Sequence, residues 1–431
     1  MSSEVLQHTL ESLCLLVVDC PHATPKWTDS GVVVLRNQNI KGGRLDLSSP
    51  SFTDEAHYLG RTRRAAPRAG DIVITREAPM GDVCLIPPGL KCCLGQRQVL
   101  LRPDPSQVDS RFLLYALQSP YLQHQIGWNE GTGSTVSNLR IPVLEALRVP
   151  TPPLSVQQEI AETLGALDDR ITLLRETNAT LEAIAQTLFK SWFVNFDPVR
   201  AKSEGRAPEG MDEATAALFP DSFEESALGW VPRGWRAGHL ADFAQLHKGT
   251  INPLNKPTTR FEHYSLPAFD KEQAPVFEAG AEIKSNKTSV PVSAVLLSKL
   301  NPHIPRVWLP ADVGDHAVCS TEFMAFVPHS GASREIIYCL FSAEPFKQSL
   351  CQLVTGTSNS HQRVKPESVL QMPAVLPPKN LLHAFTQAVA PLYERVAKNR
   401  KQAQTLATLR DTLLPRLISG QLQVTEVKHA I

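Results

Sequence analysis

The sequence predicts an α+β chain: two mixed α/β domains in pseudo-twofold arrangement, separated by an antiparallel two-helix coiled coil. Three observations carry that expectation. The first is a heptad seam of Ile160, Leu164, Leu167, Ile171, Leu174, Asn178, Leu181, Ala185, Leu188 and Trp192, whose steps alternate four and three without a slip. The second is another seam 225 residues on, at Phe385, Val389, Leu392, Val396, Asn399, Ala403, Leu406, Arg410, Leu413 and Leu417. Off-seam identities keep that shift (Arg170 with Arg395, Thr180 with Thr405, Thr187 with Thr412), which favours an internal duplication over two unrelated helices. The third lies in the flanking domains. At a shift of 223, Ile72–Thr75 followed by Arg76 matches Val295–Ser298 followed by Lys299. Tyr115, Gly133, Arg140 and Pro150 meet Tyr338, Gly356, Arg363 and Pro373 at that shift, and Pro152-Pro153 meets Pro377-Pro378 after a two-residue insertion.

In chain order, residues 1–154 form the first domain. Short β-rich runs at 15–18, 32–35, 72–74 and 99–101 are separated by turn residues at Gly42-Gly43, Pro79 to Gly81 and Pro87 to Gly89. A helix is expected from 110 to about 125, followed by a polar loop at 131–135 and a proline-bounded strand ending at Pro150. Residues 155–196 are the first long helix, with only Gly165 inside it. Residues 197–230 are an acidic connector punctuated by Pro198, Pro208, Gly210, Pro220 and Gly229, irregular apart from a short helix near 213–218. Residues 231–379 repeat the first domain, 380–420 repeat the long helix, and 421–431 are a C-terminal tail.

A lone core asparagine commonly sets coiled-coil register, and each seam holds one. If Asn178 meets Asn399 in antiparallel helices, paired residue numbers sum to 577. Ile160 then meets Leu417, Leu164 meets Leu413, Leu181 meets Val396 and Trp192 meets Phe385. Glu176 faces Lys401 and Glu182 faces Arg395 on the flanks. One pair, Leu167 with Arg410, is poor unless Arg410 reaches Asp168 or Asp169.

Composition bounds the class. A chain of 431 residues is too long for one core, and 42% apolar content is ordinary for a soluble globular protein. The apolar run at 13–18 is short and closed by Asp19, and no run of eighteen apolar residues exists, so neither a signal peptide nor a membrane span is expected. Eight cysteines without a CxxC pair read as reduced thiols of a cytoplasmic chain. Adjacent Cys92 and Cys93 suit one tetrahedral ion poorly, so no metal site is expected. A net charge of zero hides an uneven distribution: fourteen acids against six bases over 155–226, two against six over 385–420. Arg61, Arg63, Arg64, Arg68 and Arg76 cluster with only Asp71 opposing, and such clustering can make a basic groove within a neutral chain.

Catalytic constellations are missing. There is no Gly-Lys phosphate loop and no HExxH. Asn195-Phe196-Asp197-Pro198 lacks the second proline and following aromatic of the amino-methyltransferase motif. Glu282-Ile283-Lys284 has its nearest Pro-Asp far upstream, in the connector, and reads as a solvated edge strand rather than part of a nuclease carboxylate cluster. Recognition chemistry is present instead. Arg36, Asn37 and Gln38 follow a strand, Gln96 and Arg97 precede one, and Arg76 and Lys299 stand at strand ends. Arginine pairs bidentately with guanine, and asparagine or glutamine with adenine. Thr132, Ser134 and Thr135 in the first domain, and Thr357 and Ser358 in the second, can donate to phosphate oxygens, and Gln362 is a further DNA-binding candidate.

The chain resembles the specificity subunit of type I restriction-modification systems over essentially its whole length. The stretches that carry the resemblance are 71–76, 131–139, 152–171, Leu188-Phe189-Lys190-Ser191-Trp192-Phe193-Val194-Asn195-Phe196-Asp197-Pro198-Val199, and Leu228-Gly229-Trp230-Val231-Pro232-Arg233-Gly234-Trp235. The resemblance implies two target-recognition domains, each reading half of a split, asymmetric site in double-stranded DNA. It implies that the paired helices act as spacer and docking surface for two copies of an adenine methyltransferase subunit, with restriction/translocase subunits completing the complex. S-adenosylmethionine, ATP and Mg2+ would belong to those partners, and this chain would bind no cofactor and catalyse nothing itself. About 33 seam residues at roughly 1.5 Å each span about 50 Å, enough for one or more DNA turns of roughly 34 Å. Two other readings compete: a stand-alone enzyme with an unrecognised site, and a coiled-coil scaffold with two globular ligand-binding ends.

Overall fold

The structure, a computed structural model, describes residues 6–128, 138–329, 331–354 and 362–430. The chain divides into two compact units, Met1–Leu173 with Gln402–Ile431, and Leu174–Lys401.

In the first unit the β-rich runs assemble because their side chains alternate between two cores. The sheet order is Cys14–Asp19, Gln98–Pro103, Ile72–Thr75, Val83–Leu85, antiparallel throughout. Ile72, Ile74, Val99 and Leu101 pack on one side with Phe112, Leu113 and Leu117 of helix Ser110–Gln118. Val73, Cys84 and Leu100 face the other way, into a second core with Leu35, Cys92 and Leu94 of a smaller sheet, Ser51–Thr53, Val32–Leu35, Cys92–Leu94. Cys92 and Cys93 are consecutive on a strand, so their thiols point to opposite faces and do not converge. The single helix expected over 110–125 is two helices, Ser110–Gln118 and Pro120–Trp128. Ser119 is extended (φ −63°, ψ 147°) because the Pro120 ring disfavours helix in the residue before it. The C-terminal tail holds a helix, Val424–Ala430, whose Val424 and Val427 join the first core.

The second unit repeats this frame. Its sheet order is Ala244–Leu246, Phe323–Pro328, Val295–Ser298, Val307–Trp308, and its helices Arg334–Ser342 and Glu344–Gln352 break at extended Ala343. The smaller sheet grows to five strands around the same parallel pair: Arg260–Tyr264 with Ala317–Cys319 matches Val32–Leu35 with Cys92–Leu94. Backbone equivalences move the two-residue insertion. Ser298 pairs with Phe323 as Thr75 pairs with Gln98, so the shift changes from 223 to 225 between these strands rather than near Pro377. Arg363 is therefore the counterpart of Asn138, not of Arg140; Arg140 and Lys365 both precede a short helix as its N-cap residue. Helix caps Asp109 and Ser333, 224 residues apart, set Tyr115 against Cys339 rather than Tyr338.

The connector is more regular than expected. It holds helices Asp197–Ser203 and Glu213–Ala216, the latter capped by Asp212, and a hairpin of Phe223–Ser226 with Gly229–Pro232 that crosses the expected boundary at 230. Glu282-Ile283-Lys284 is not an edge strand: Glu282 accepts from the Ala279 N–H in a turn, and Ile283 is buried with Phe261 and Val318.

The long helices are Leu154–Phe189, continued by the wide π-type turn Lys190–Asn195, and Lys379–Ile418. Within the second unit they run antiparallel in the expected register. The Asn399 amide donates to Asn178 Oδ1 at 2.9 Å, and the rings of Trp192 and Phe385 lie 5.5 Å apart. Glu182 does not pair with Arg395. It meets Arg400 at 2.7 Å, because helical side chains lean toward their own N-terminus. In antiparallel helices that leans Glu182 and Arg400 toward each other and Arg395 away. Within the first unit Ile160, Leu164, Leu413 and Leu417 share one core, and Arg410 reaches Asp168 at 2.7 Å, which resolves its poor match with Leu167. The Arg111 guanidinium lies over Gly165, where a Cβ would come within 2.5 Å of Cζ, and pairs with Asp169 at 2.7 Å.

Candidate nucleic-acid interface

In the first unit three chain segments converge where strands end. Strand Val32–Leu35 runs into the turn Asn37–Asn39, held by buried Asn39, whose Oδ1 accepts from Arg36 N at 2.9 Å and whose Nδ2 donates to Asp46 O at 2.9 Å. That leaves Arg36 and Gln38 exposed, with the Arg36 guanidinium 5.4 Å from the centre of the half-exposed Trp27 ring. Gly95 touches strand Val32–Leu35 through Leu35 O at 2.8 Å; a Cβ there would sit 2.4 Å from that oxygen, so only glycine allows the approach. Gln96 then donates to His22 O at 2.5 Å, and Arg97 turns left-handed (φ 65°) with its side chain 58% exposed.

Glu77 gathers these groups. Its carbonyl accepts from Asn37 Nδ2 at 2.6 Å, its Oε1 accepts from Asn138 Nδ2 at 2.9 Å, and its Oε2 lies 3.0 Å from Arg97 Nε. The expectation that Arg76 faces a ligand is corrected. Its side chain is 12% exposed, pairs with Asp19 at 2.8 Å and donates to Leu139 O at 2.9 Å. Its backbone sets the frame: Arg76 N–H donates to Arg97 O, and Arg76 O accepts from Leu139 N. Arg61 is likewise internal, donating to the carbonyls of Pro21, Ala23, Leu94 and Gly95. Arg63 and Arg64 are exposed, and Arg68 stands beside Asp71.

The second unit rebuilds the frame with other side chains. Lys299 N–H donates to Glu322 O at 2.9 Å, and Lys299 O accepts from Val364 N at 3.1 Å. Lys299 itself is half-buried. Glu322 pairs with Arg363 at 3.1 Å, and Gln362 contributes its carbonyl to Asn301 N at 2.8 Å. Thr132, Ser134, Thr135, Thr357 and Ser358 lie outside the described residues.

Each domain is tied to a long helix by its own chemistry. In the first unit the Tyr115 hydroxyl donates to Asp168 at 2.7 Å, and Arg410 and Arg44 meet the same carboxylate at 2.7 and 3.0 Å. Burial pushes the Asp168 carboxyl up, but these partners outweigh it and hold it below the ordinary carboxylate range. In the second unit the matching contact is Cys339 Sγ to Tyr393 OH at 3.1 Å. Glu182 nearby is pushed up by burial, only partly offset by Arg400.

Sequence reasoning missed Glu77, Asn138, Glu322 and Trp27. Arg363 stands out in the sequence only as a repeat identity with Arg140, whereas its structural counterpart is Asn138. The reversal of charge between Arg97 and Glu322 becomes visible once the 225-residue shift is applied to that strand. Among the described residues no group of His, Cys, Asp and Glu could hold a metal ion, and no helix is long and apolar enough to cross a membrane.

Residues 30–183 match the family model described as the type I restriction modification DNA specificity domain. The chain is 24% identical over 369 residues to the type I restriction enzyme MjaIX specificity subunit of Methanocaldococcus jannaschii, covering 83% of this chain and 79% of that one. It is 25% identical over 340 residues to the HindI specificity subunit of Haemophilus influenzae, covering 68% and 73%. The crystal structure of a type I restriction-modification S subunit from M. genitalium shares the fold, with a TM-score of 0.52 at 17% identity over 96% of both chains.

Proposed function

We propose that this chain, a relative of the specificity subunits of type I restriction-modification systems, is the non-catalytic, DNA-reading subunit of such a complex. It reads a bipartite asymmetric site, one half per repeat, and directs adenine methyltransferase and restriction subunits to it. The observation that carries this reading is the doubled frame. The same backbone hydrogen bonds recur around Arg76 and Lys299, while the side chains at the loop ends differ. A frame kept and a surface changed suits two half-sites of different sequence. Arginines and amides at those ends match the donor and acceptor pattern of base edges in the major groove.

The chemistry would lie with the partners: two methyltransferase subunits with S-adenosylmethionine, and restriction/translocase subunits with ATP and Mg2+. This chain's own residues bind and orient. The test uses the purified full chain, alone and with its co-expressed methyltransferase. Affinity for duplex DNA is expected to fall steeply and log-linearly with salt, and methyl transfer to appear only with the partner. Methyl transfer by the chain alone, or salt-insensitive binding, would contradict the reading.

A further inference from the structure

The two repeats carry an arginine–carboxylate pair at the same three backbone positions, with the members moved around. Three positions are equivalent by their hydrogen bonds. One follows the strand end, Glu77 in the first repeat and Leu300 in the second, next to Arg76 and Lys299. One gives its carbonyl to that strand end, Arg97 and Glu322. One precedes the residue whose N–H closes the frame, Asn138 before Leu139 and Arg363 before Val364. The first and third positions touch in both repeats: Asn138 donates to Glu77, and Arg363 forms a β-bridge with Leu300.

In both repeats the carboxylate is the more shielded partner and the arginine the more exposed one. Glu77 and Glu322 are 21% and 24% exposed, while Arg97 and Arg363 are 58% and 47% exposed. A carboxylate at the root of a guanidinium removes rotamer freedom and fixes the orientation of the group. The aimed arginine stands on the turn that links the two sheets in the first repeat, and just before the residue that closes the frame in the second. The geometry points to these six residues, Glu77, Arg97 and Asn138, and Leu300, Glu322 and Arg363, as the positions that set which bases each repeat reads. Glu77 and Glu322 are the positioning residues, Arg97 and Arg363 the readers, and guanine is the base an oriented guanidinium fits best. This inference rests on the DNA-reading function proposed above.

The test grafts the second repeat's set into the first. The full chain carrying Glu77→Leu, Arg97→Glu and Asn138→Arg is co-expressed with its methyltransferase partner, and the modified-adenine motif is read from cellular DNA. One half of the motif is expected to change or relax while the other half stays as in wild type. An unchanged motif overturns the assignment and leaves the DNA-reading function standing. A wild-type chain that gives no modified motif defeats the DNA-reading function itself. Arg97→Lys and Arg363→Lys change only exposed side-chain ends, so they decide the matter if the graft fails to fold. In competition binding by the purified complex, each is expected to lose on the order of tenfold discrimination at one base pair. A uniform loss across all duplexes would make these arginines phosphate contacts and overturn the assignment.

Discussion

The Asn399 side-chain amide donates to Asn178 Oδ1 at 2.9 Å, and both residues are buried in the seam between the long helices. Asn178 Nδ2 points on toward Val396 O at 3.4 Å, so the pair is largely satisfied. Replacing one member leaves the other buried without its partner. Asn178→Leu is expected to cost about 1–3 kcal/mol in chemical denaturation. The double change Asn178→Leu with Asn399→Leu is expected to recover most of that loss or exceed it, while weakening register. Equal losses from the single and double variants would show that the two amides do not act as a pair.

Two carboxylates on the first long helix, Asp168 and Glu182, predict opposite pH responses. Asp168 is held below its ordinary range, so its contribution is full above the unfolded carboxylate pKa, near 4, and is lost as pH falls through the lower folded value. Glu182 is raised, so its contribution is present at low pH and is lost as pH rises through the raised folded value. Denaturation of Asp168→Asn and Glu182→Gln across acid pH, each against wild type, measures both. The wild-type advantage over Asp168→Asn is expected to shrink toward acid, and that over Glu182→Gln to shrink toward neutral. A common direction would contradict the assignment.

Arg76 and Arg97 separate framework from surface. Arg76→Ala leaves Asp19 only the exposed His22 imidazole at 3.1 Å and strands the Leu139 carbonyl, and is expected to lower stability by about 1–3 kcal/mol. Arg97→Ala removes an ion pair whose arginine is open to solvent, worth about 1 kcal/mol or less. It is expected to weaken specific DNA binding by roughly 1–3 kcal/mol with little change in melting temperature. Thermal melts beside binding to specific and unrelated duplexes test both. If Arg97→Ala unfolds the chain or leaves specific affinity unchanged, its role as a base contact fails.

Much of this is legible in the sequence, for physical reasons. A seam of period 3.5 writes its own face into the sequence, and a lone asparagine in each seam marks one register, so Ile160 to Trp192 and its copy gave direction and pairing together. The salvage of Arg410 by Asp168 followed from side-chain reach. Glu182 escaped because level numbering ignores the lean of helical side chains. Arg76 escaped because a strand-end arginine reads the same whether it points out or back onto Asp19. Single-residue identities such as Tyr115 with Tyr338 place the insertion too late in the chain. Caps and ladder bonds, which define the frame, leave weaker marks in sequence. Glu77 carried no signal at all, since its role depends on Asn37, Arg97 and Asn138 arriving from three distant segments.

The most direct test of the central claim is the modified-adenine motif in cellular DNA, compared with and without the gene for this chain while the proposed methyltransferase partner is kept. A split motif with a gap of constant length, present only when the chain is present, is the expected result. The same motif in its absence, or a single continuous motif, would contradict a chain that reads two half-sites with two copies of one frame.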